Sequence, residues 1–133
     1  QTNDQYNHFL NSSDIVLGMS GGEGWGLPEF QSVCLGKHAV ILNCCGYKSW
    51  ANEENCVLIN PKGKVEAYDG VFFHEKTEWN QGSIHDFNED DFISGCEEAI
   101  KRVEKERENK EGLKLVEEFS YAKMVDQITK ELE

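Results

Sequence analysis

The chain has 133 residues, of which 38% are hydrophobic and 29% charged, and its formal net charge is -12. This length is enough for one domain with a hydrophobic core, and the composition is typical of a soluble globular protein. The negative charge argues against a nucleic-acid partner, because such partners need a basic face. No apolar run approaches the roughly 20 residues of a membrane span, so we expect no transmembrane segment.

The cysteines argue against a disulfide framework and against a metal site. There are five of them, an odd number at irregular spacing, and none forms a C-x-x-C pair. Most lie in apolar runs, where cysteine behaves as a small hydrophobic residue. A zinc site would need a second clustered cysteine pair, or histidines at short spacing from the cysteines, and on this pattern we predict no metal ligands. Free thiols are typical of a reducing compartment, and we therefore predict a cytoplasmic location.

The first half of the chain alternates between helical and strand patterns. Residues 4–11 have helical spacing, and residues 15–19 form the β-branched apolar run of a buried parallel strand. Residues 20–26 contain four glycines and are predicted to be a loop. A helix is predicted to begin at Pro28, whose fixed φ suits a first helical position, and to end at Gly36.

Two further apolar runs predict two more strands. They cover residues 39–42 and 56–59, with a turn-rich loop over residues 43–49 and a short helical turn over residues 50–55. The strands are continuous apolar runs, and their connections are too long for hairpins. Because this alternation is typical of α/β proteins, we predict a parallel sheet within one α/β domain.

The middle of the chain is less regular. Residues 65–67 and 70–73 are predicted to pair as a hairpin, because Asp69 and Gly70 form a turn signal between them. Residues 75–87 show no clear period.

The last third is predicted to be helical. A stripe of apolar residues predicts a helix over Glu89–Lys105, and a last helix over Tyr121–Leu132 has Ser120 as its N-cap. The charged residues 104–111 between them are predicted to be a solvated helix end. The apolar stripe consists of Phe92, Ile93, Cys96, Ile100 and Val103.

The most informative segment covers residues 21–31. It joins the carboxyl end of a predicted parallel strand to the start of a helix, and ligands bind at that edge of open α/β sheets. A helix N-terminus offers N–H groups and a positive dipole end, which suit a phosphate. Glycines allow a ligand to approach the backbone closely, and the Glu23 carboxylate can accept two hydroxyl hydrogen bonds.

This segment resembles a signature of a known family. Residues Glu23-Gly-Trp-Gly-Leu-Pro resemble the E-G-[FY]-G-L-P motif of the large retaining glycosyltransferase family that includes sucrose synthases and many bacterial polysaccharide transferases. Other segments agree in order and spacing with further motifs of that family. These motifs are A-D-V-x-V-x-P-S, A-x-G-x-P-V-V, G-G, N-G-x-L-V-x-P and F-S-W. They are Asp14-Ile-Val-Leu-Gly-Met-Ser, Leu35-Gly-Lys-His-Ala-Val-Ile, Gly46, Asn55-Cys-Val-Leu-Ile-Asn-Pro and Phe119-Ser-Tyr.

The resemblance implies a fold and an activity. Members of this family have the GT-B fold of two Rossmann-like domains. Residues 1–133 would then be a partial C-terminal, nucleotide-sugar-binding domain with a Rossmann-like parallel sheet, a possible insertion at residues 62–88 and a helical part at residues 89–133. It implies transfer of a sugar from a nucleotide-sugar donor with retention of configuration, without a cofactor or a metal. The chain begins at Gln1 rather than Met, so we expect a fragment.

The rest of the enzyme would supply what this chain lacks. The resemblance implies that the missing N-terminal domain binds the acceptor, a glycan or a lipid, and we expect this chain alone to be inactive. Two enzyme alternatives share the two-domain fold: a nucleotide-sugar epimerase and a phosphorylase. A third alternative is a non-catalytic module that only binds nucleotide sugars.

The resemblance also implies donor-binding residues, but no catalytic one. The first glutamate of the family's E-x7-E pair, which binds hydroxyls of the transferred sugar, corresponds to Glu23. The second, which binds the ribose, corresponds to Gln31, where the chain departs from the pattern. A glutamine can still accept from a ribose hydroxyl, although without charge assistance. We therefore predict that Gln31 faces the donor pocket, and we do not transfer its role to Glu29.

The other candidates follow from the same loops. The remaining predicted donor-binding residues are Gly24, Trp25, Gly26 and Leu27, and further candidates are Gly22, Cys45, Gly46 and Lys48. Several have a structural alternative: Trp25 as a packing residue beneath the loop, Gln31 as a surface residue of the helix, and Lys48 as a solvated lysine. His38, at a predicted strand start, is interpreted as structural.

Overall fold

A computed structural model of the chain describes residues 2–79 and 81–132, so residues 1, 80 and 133 of the predicted domain lie outside it. Over these residues the fold is mixed α/β, with a three-stranded sheet and a separate two-stranded sheet. Among the helices in this part of the chain, none combines the length and the apolar character that crossing a bilayer requires.

The three-stranded sheet is parallel, as predicted. Its strands are β1 (Ile15–Gly18), β2 (His38–Leu42) and β3 (Val57–Ile59), in the order β1-β2-β3. Ile15 pairs with His38, and Val40 pairs with both Leu17 and Val57. All five residues of β2 are buried, because the strand is central and helices cover both of its faces.

Successive residues of β2 point to opposite faces and form two separate cores. Ala39 and Ile41 pack with Val33 and Leu115 on one face, where the helices α2 (Leu27–Cys34) and α4 (Lys110–Glu118) lie. Helix α1 (Asn3–Asn11) also contacts α2. On the other face, Val40, Leu42 and Ile59 pack with Ala99 of α3 (Glu89–Lys105). The alternation of side chains along a strand produces this two-sided core.

The helix predicted at Pro28 is α2. It begins one residue earlier, at Leu27, so Pro28 is the second helical residue and still occupies the first turn. Gly36 ends the helix as predicted. Its φ of 80° lies in the left-handed region that favours glycine, and its N–H donates to the Val33 carbonyl.

The connection between β2 and β3 has a helical turn earlier than predicted. A 3-10 helix covers Cys45–Ser49, whereas residues 50–55, where the helical turn was predicted, form no helix. Residues 53–55 form a single turn, in which the Cys56 N–H donates to the Asn52 carbonyl at 2.9 Å, and side chains of the segment add further bonds. The Asn55 amide donates to the Trp50 carbonyl at 2.9 Å, and Asn55 Oδ1 accepts the Asn52 N–H at 2.8 Å.

The hairpin predicted around Asp69 and Gly70 is wrong. Instead, β4 (Gly63–Glu66) pairs in antiparallel fashion with β5 (Ser83–Asp86). The turn signal at Asp69 is satisfied locally, because its carboxylate accepts three successive N–H groups at 2.8–2.9 Å. These bonds form a compact turn within the long connection between β4 and β5, so the residues that flank Asp69 do not pair as strands.

Helix α3 has the predicted bounds, and Phe92 and Cys96 of the predicted apolar stripe pack against the core, but its two isoleucines do not. Ile93 and Ile100 are about half exposed, at 55% and 50%, whereas Gly95 and Ala99 are buried. A Cβ atom on Gly95 would lie 2.5 Å from Ile59 Cδ1. The helix therefore meets the sheet along its small residues, and this contact turns both isoleucines outward.

Helix α4 was not predicted, because its sequence is highly charged. The buried Asn109 organises its start. The Asn109 Nδ2 donates to the carbonyls of Lys37 and Asn55 at 3.0 and 2.8 Å, and its Oδ1 accepts the Gly112 N–H at 3.0 Å. These bonds attach the helix start to the sheet and place Leu115, which is 2% exposed, in the core.

The structural role predicted for His38 and the N-cap predicted at Ser120 agree with the structure. His38 is buried, and its Nε2 lies 2.8 Å from the Glu106 carbonyl, which is a structural role. Ser120 Oγ accepts the Lys123 N–H at 3.3 Å at the start of the last helix, α5 (Tyr121–Leu132). No residue of α5 is buried over those bounds.

We expect Asn109→Ala to lower the free energy of unfolding by about 3 kcal/mol, because it leaves two buried carbonyls and one N–H without their partner. Denaturant unfolding measures the change. The exposed Asn7→Ala is the control and should change the midpoint little. Equal midpoints for both variants would contradict the anchoring role of Asn109.

Candidate ligand-binding site

The candidate site lies at the carboxyl edge of the parallel sheet. The loop of residues 19–26, called here the Glu23 loop, follows β1, and the 3-10 helix Cys45–Ser49 follows β2. The two strands are parallel neighbours, so these two connections meet at one edge. The Gly46 N–H donates to the Glu23 carbonyl at 3.0 Å and joins them directly.

Glycines bring the backbones into contact around the Glu23 loop. A Cβ atom on Gly46 would overlap the Gly24 carbonyl and lie 2.7 Å from the Trp25 nitrogen. On the other side, the His85 N–H donates to the Gly21 carbonyl at 2.9 Å, and a Cβ atom on Gly21 would overlap the His85 carbonyl. The loop is therefore held between the 3-10 helix and β5.

Gly26 ends the loop and opens α2 without a side-chain cap. Its φ is 75°, and a Cβ atom there would overlap the Tyr47 ring. No side-chain hydrogen bond caps the helix N-terminus at this residue. Pro28 has no N–H, and the Phe30 N–H donates to the Gly26 carbonyl, so the first turn of α2 offers an anionic ligand group chiefly its positive dipole end.

Two carboxylates lie close together at this edge. Glu23 is half-buried on the loop, and Glu29 is half-buried in the first turn of α2. Burial raises the pKa of Glu29, its own backbone N–H opposes that effect, and the charge of Glu23 adds to the increase. An uncharged or hydroxyl-bearing ligand group that donates to these oxygens would relieve this repulsion.

Tyr47 supplies a buried hydroxyl beside these carboxylates. The side chain is 1% exposed, and its hydroxyl has no hydrogen-bond partner among the residues that the structure describes. A Cβ atom on Gly18 would lie 3.2 Å from this hydroxyl and 2.9 Å from Glu29 Cγ, so only glycine leaves room between them. Burial and then the charge of Glu29 raise the pKa of Tyr47, which keeps the phenol protonated as a donor.

The Trp25 side chain packs beneath the loop. Its ring makes edge contacts with Phe30 and Phe119, at centroid distances of 5.4 and 5.3 Å. The Trp50 indole N–H donates to the Trp25 carbonyl at 2.8 Å. These contacts favour the packing role for the Trp25 ring and show how the core fixes the position of the loop, whereas Leu27 beside it is 58% exposed.

Gln31 lies with a different set of residues. Its side-chain Oε1 accepts the Tyr6 hydroxyl of α1 at 2.8 Å. It also lines a groove between α1, α2 and α4, together with Leu10 and Val116, that contains no residue of the Glu23 loop. The structure therefore does not bring Gln31 together with Glu23, and contact with a ribose stays a prediction.

The remaining candidates differ in their surroundings. A Cβ atom on Gly24 would meet nothing within 4 Å, so this position is open to a ligand. Gly22 is exposed near the Ile84 side chain. Cys45 and Lys48 are exposed on the 3-10 helix, and Cys45 has a left-handed φ of 51°.

Sequence reasoning missed Tyr47 and set Glu29 aside. In the sequence, Tyr47 is one more apolar residue after a predicted strand. Nothing in the sequence pattern indicates that its hydroxyl has no partner among the described residues. Glu29 was set aside because it does not fit the spacing of the E-x7-E pair. Its surroundings depend instead on the close approach of α2 to Gly18. The site thus combines two acceptor carboxylates with a helix start that has no side-chain cap, and a buried phenol lies beside them.

No protein-family model matches this chain, and a search of curated proteins found no significant match. The chemistry of the site is therefore inferred from its own residues.

We expect Gly46→Ala to lower the free energy of unfolding by about 1–3 kcal/mol, because its Cβ must displace the backbone of the Glu23 loop. Gly24→Ala is the matched control, since its Cβ enters open space in the same loop. Denaturant unfolding of both variants gives the comparison. Equal stabilities would show that the loop is not held against Gly46.

The raised pKa of Glu29 also predicts a pH dependence. Protonation of this group favours the fold below its ordinary pKa of 4.5, and that contribution is lost as pH rises through the higher folded-state value. We expect Glu29→Gln to melt at a higher temperature than wild type at pH 7, and the two to converge below pH 4.5. The exposed Glu53→Gln serves as the control. A lower melting temperature for Glu29→Gln at pH 7 would contradict the conclusion that burial of the Glu29 carboxylate destabilises the fold at this pH.

Proposed function

We propose that this chain is the donor-binding part of a retaining glycosyltransferase of the GT-B type. In this proposal the Glu23 loop receives the sugar of a nucleotide-sugar donor. The acceptor, a glycan or a lipid, binds to an N-terminal domain outside this chain. The five free cysteines agree with a cytoplasmic setting for the reaction.

The observation that carries the proposal is the placement of Glu23. Its loop joins the carboxyl end of a parallel strand to an uncapped helix start, where α/β sheets bind ligands. The Gly46 N–H donates to the Glu23 carbonyl, so the backbone that carries this carboxylate is held in place before a ligand arrives. Such preorganisation lowers the entropic cost of binding.

The charges at this edge favour the sugar over the phosphates. Glu23 and Glu29 can accept hydroxyl hydrogen bonds from a ligand, whereas the Tyr47 hydroxyl is buried beside them. The single basic residue of the 3-10 helix is Lys48, and the chain carries a net charge of -12. The diphosphate would therefore depend on the positive dipole end of α2 and on basic residues from the rest of the enzyme. We assign no catalytic residue to this chain, which would bind and orient the donor.

The test is binding of nucleotide sugars by the full chain. Ligand-detected NMR with a panel that varies base and sugar is suitable, because it registers weak binding. We expect at least one nucleotide sugar to bind, and Glu23→Gln to weaken it about 10- to 100-fold, the loss of one charge-assisted hydrogen bond.

The control is Glu54→Gln, which removes the same charge at the opposite, amino edge of β3. It should leave binding unchanged. If a folded chain binds none of the panel, or if both variants lose affinity equally, the proposal fails.

A further inference from the structure

Three metal-ligating side chains converge beside the Glu23 loop. Cys44 and Cys45 follow β2, and His85 belongs to β5. Their ligand atoms all lie within 4.8 Å of one another, and Cys45 Sγ lies 3.5 Å from His85 Nδ1. No sequence spacing signals this cluster, since His85 is 40 residues beyond Cys45.

The backbone explains why two adjacent cysteines face the same point. Neighbouring side chains on an extended strand point in opposite directions. Here Cys44 is extended, with φ of -147°, whereas Cys45 has the rare left-handed φ of 51°. That change of conformation brings the second thiol to the side of the first. His85 is fixed independently, because its N–H donates to the Gly21 carbonyl at 2.9 Å.

We propose that Cys44, Cys45 and His85 form a binding site for Zn²⁺. Two thiolates and one imidazole are the ligand types that zinc prefers, and three protein ligands leave a fourth position open. With Zn–S of about 2.3 Å and Zn–N of about 2.0–2.1 Å, a tetrahedral ion separates sulfur from nitrogen by about 3.5 Å. The distance between Cys45 Sγ and His85 Nδ1 already has that value.

The surroundings of the cluster suit a cation. The whole chain has a net charge of -12. Burial raises the pKa of the Cys44 thiol to about 11, and the charges of Lys48 and Glu23 act on it with opposite signs. The ion would bind as the two thiols release their protons to solvent, so each Zn²⁺ bound releases up to two protons. Because the thiols release their protons more readily at higher pH, zinc binding becomes stronger as the pH rises.

The site would add a second link between two parts of the fold that already meet where the His85 N–H donates to the Gly21 carbonyl. It connects the carboxyl edge of the parallel sheet with the β4–β5 pair from residues 62–88. Cys45 Sγ and His85 Nδ1 now lie 3.6 and 3.3 Å from the Gly21 carbonyl of the Glu23 loop. Zinc would redirect both atoms and fix β5 against the loop, which stabilises the folded state by mass action.

The reduced, metal-free full chain can be titrated with Co²⁺, a spectroscopic probe for zinc sites, and Co²⁺ then displaced with Zn²⁺. We expect one equivalent to produce thiolate-to-cobalt charge-transfer bands, and zinc to raise the melting temperature. Cys45→Ser and His85→Gln should each weaken binding by more than about tenfold, since even substitutions outside the ligand shell cost about 10- to 100-fold. Both residues are at least partly exposed, so these variants should fold.

Matched controls are Cys34→Ser and Cys96→Ser, which remove thiols outside the cluster, and His8→Gln, which removes an exposed imidazole. All three should keep the bands and the zinc-dependent melting shift. The proposal is overturned if the wild-type chain shows no charge-transfer bands. It is equally overturned if the control variants lose binding to the same extent as Cys45→Ser and His85→Gln.

Discussion

The structure depends on contacts between backbones at the carboxyl edge of the sheet. The Glu23 loop touches the 3-10 helix through Gly46 and touches β5 through Gly21, with no side chain between the main chains. Each contact pairs an N–H with a carbonyl, so the loop is held by directional bonds as well as by close packing. The loop in turn positions the backbone of Glu23 and leaves the start of α2 without a side-chain cap.

The same edge concentrates negative charge where an anionic donor would have to approach. Glu23 and Glu29 face a partly desolvated space, and Tyr47 adds a buried donor without a partner among the described residues. Carboxylates in this position suit hydroxyl groups, since a hydroxyl donates without adding charge. In the proposed function the two tasks would be separate: side chains would recognise hydroxyls, and the positive end of α2 would receive the phosphate.

Sequence reasoning predicted the parts of the fold that local patterns determine. The apolar runs of β1 and β2, the stop at Gly36 and the bounds of α3 need only neighbouring residues to be recognised. The pairing of β4 was missed because all four of its residues are exposed and its partner lies about twenty residues away. Tyr47 and the Cys44–Cys45–His85 cluster were missed for a related reason: tertiary contacts, and not spacing, bring their atoms together.

The final helix has a consequence for how the molecule opens. Strand β2 is buried along its whole length, so its amides can exchange with solvent only when the sheet itself comes apart. Helix α5 has 12 residues and buries none of them, and isolated helices of this length are marginal in water. Its amide protons should therefore exchange through local fraying, far faster than those of β2. The chain thus has a gradient of local stability, and a partner that covered Met124 and Ile128 would slow exchange in α5 without changing it in the sheet.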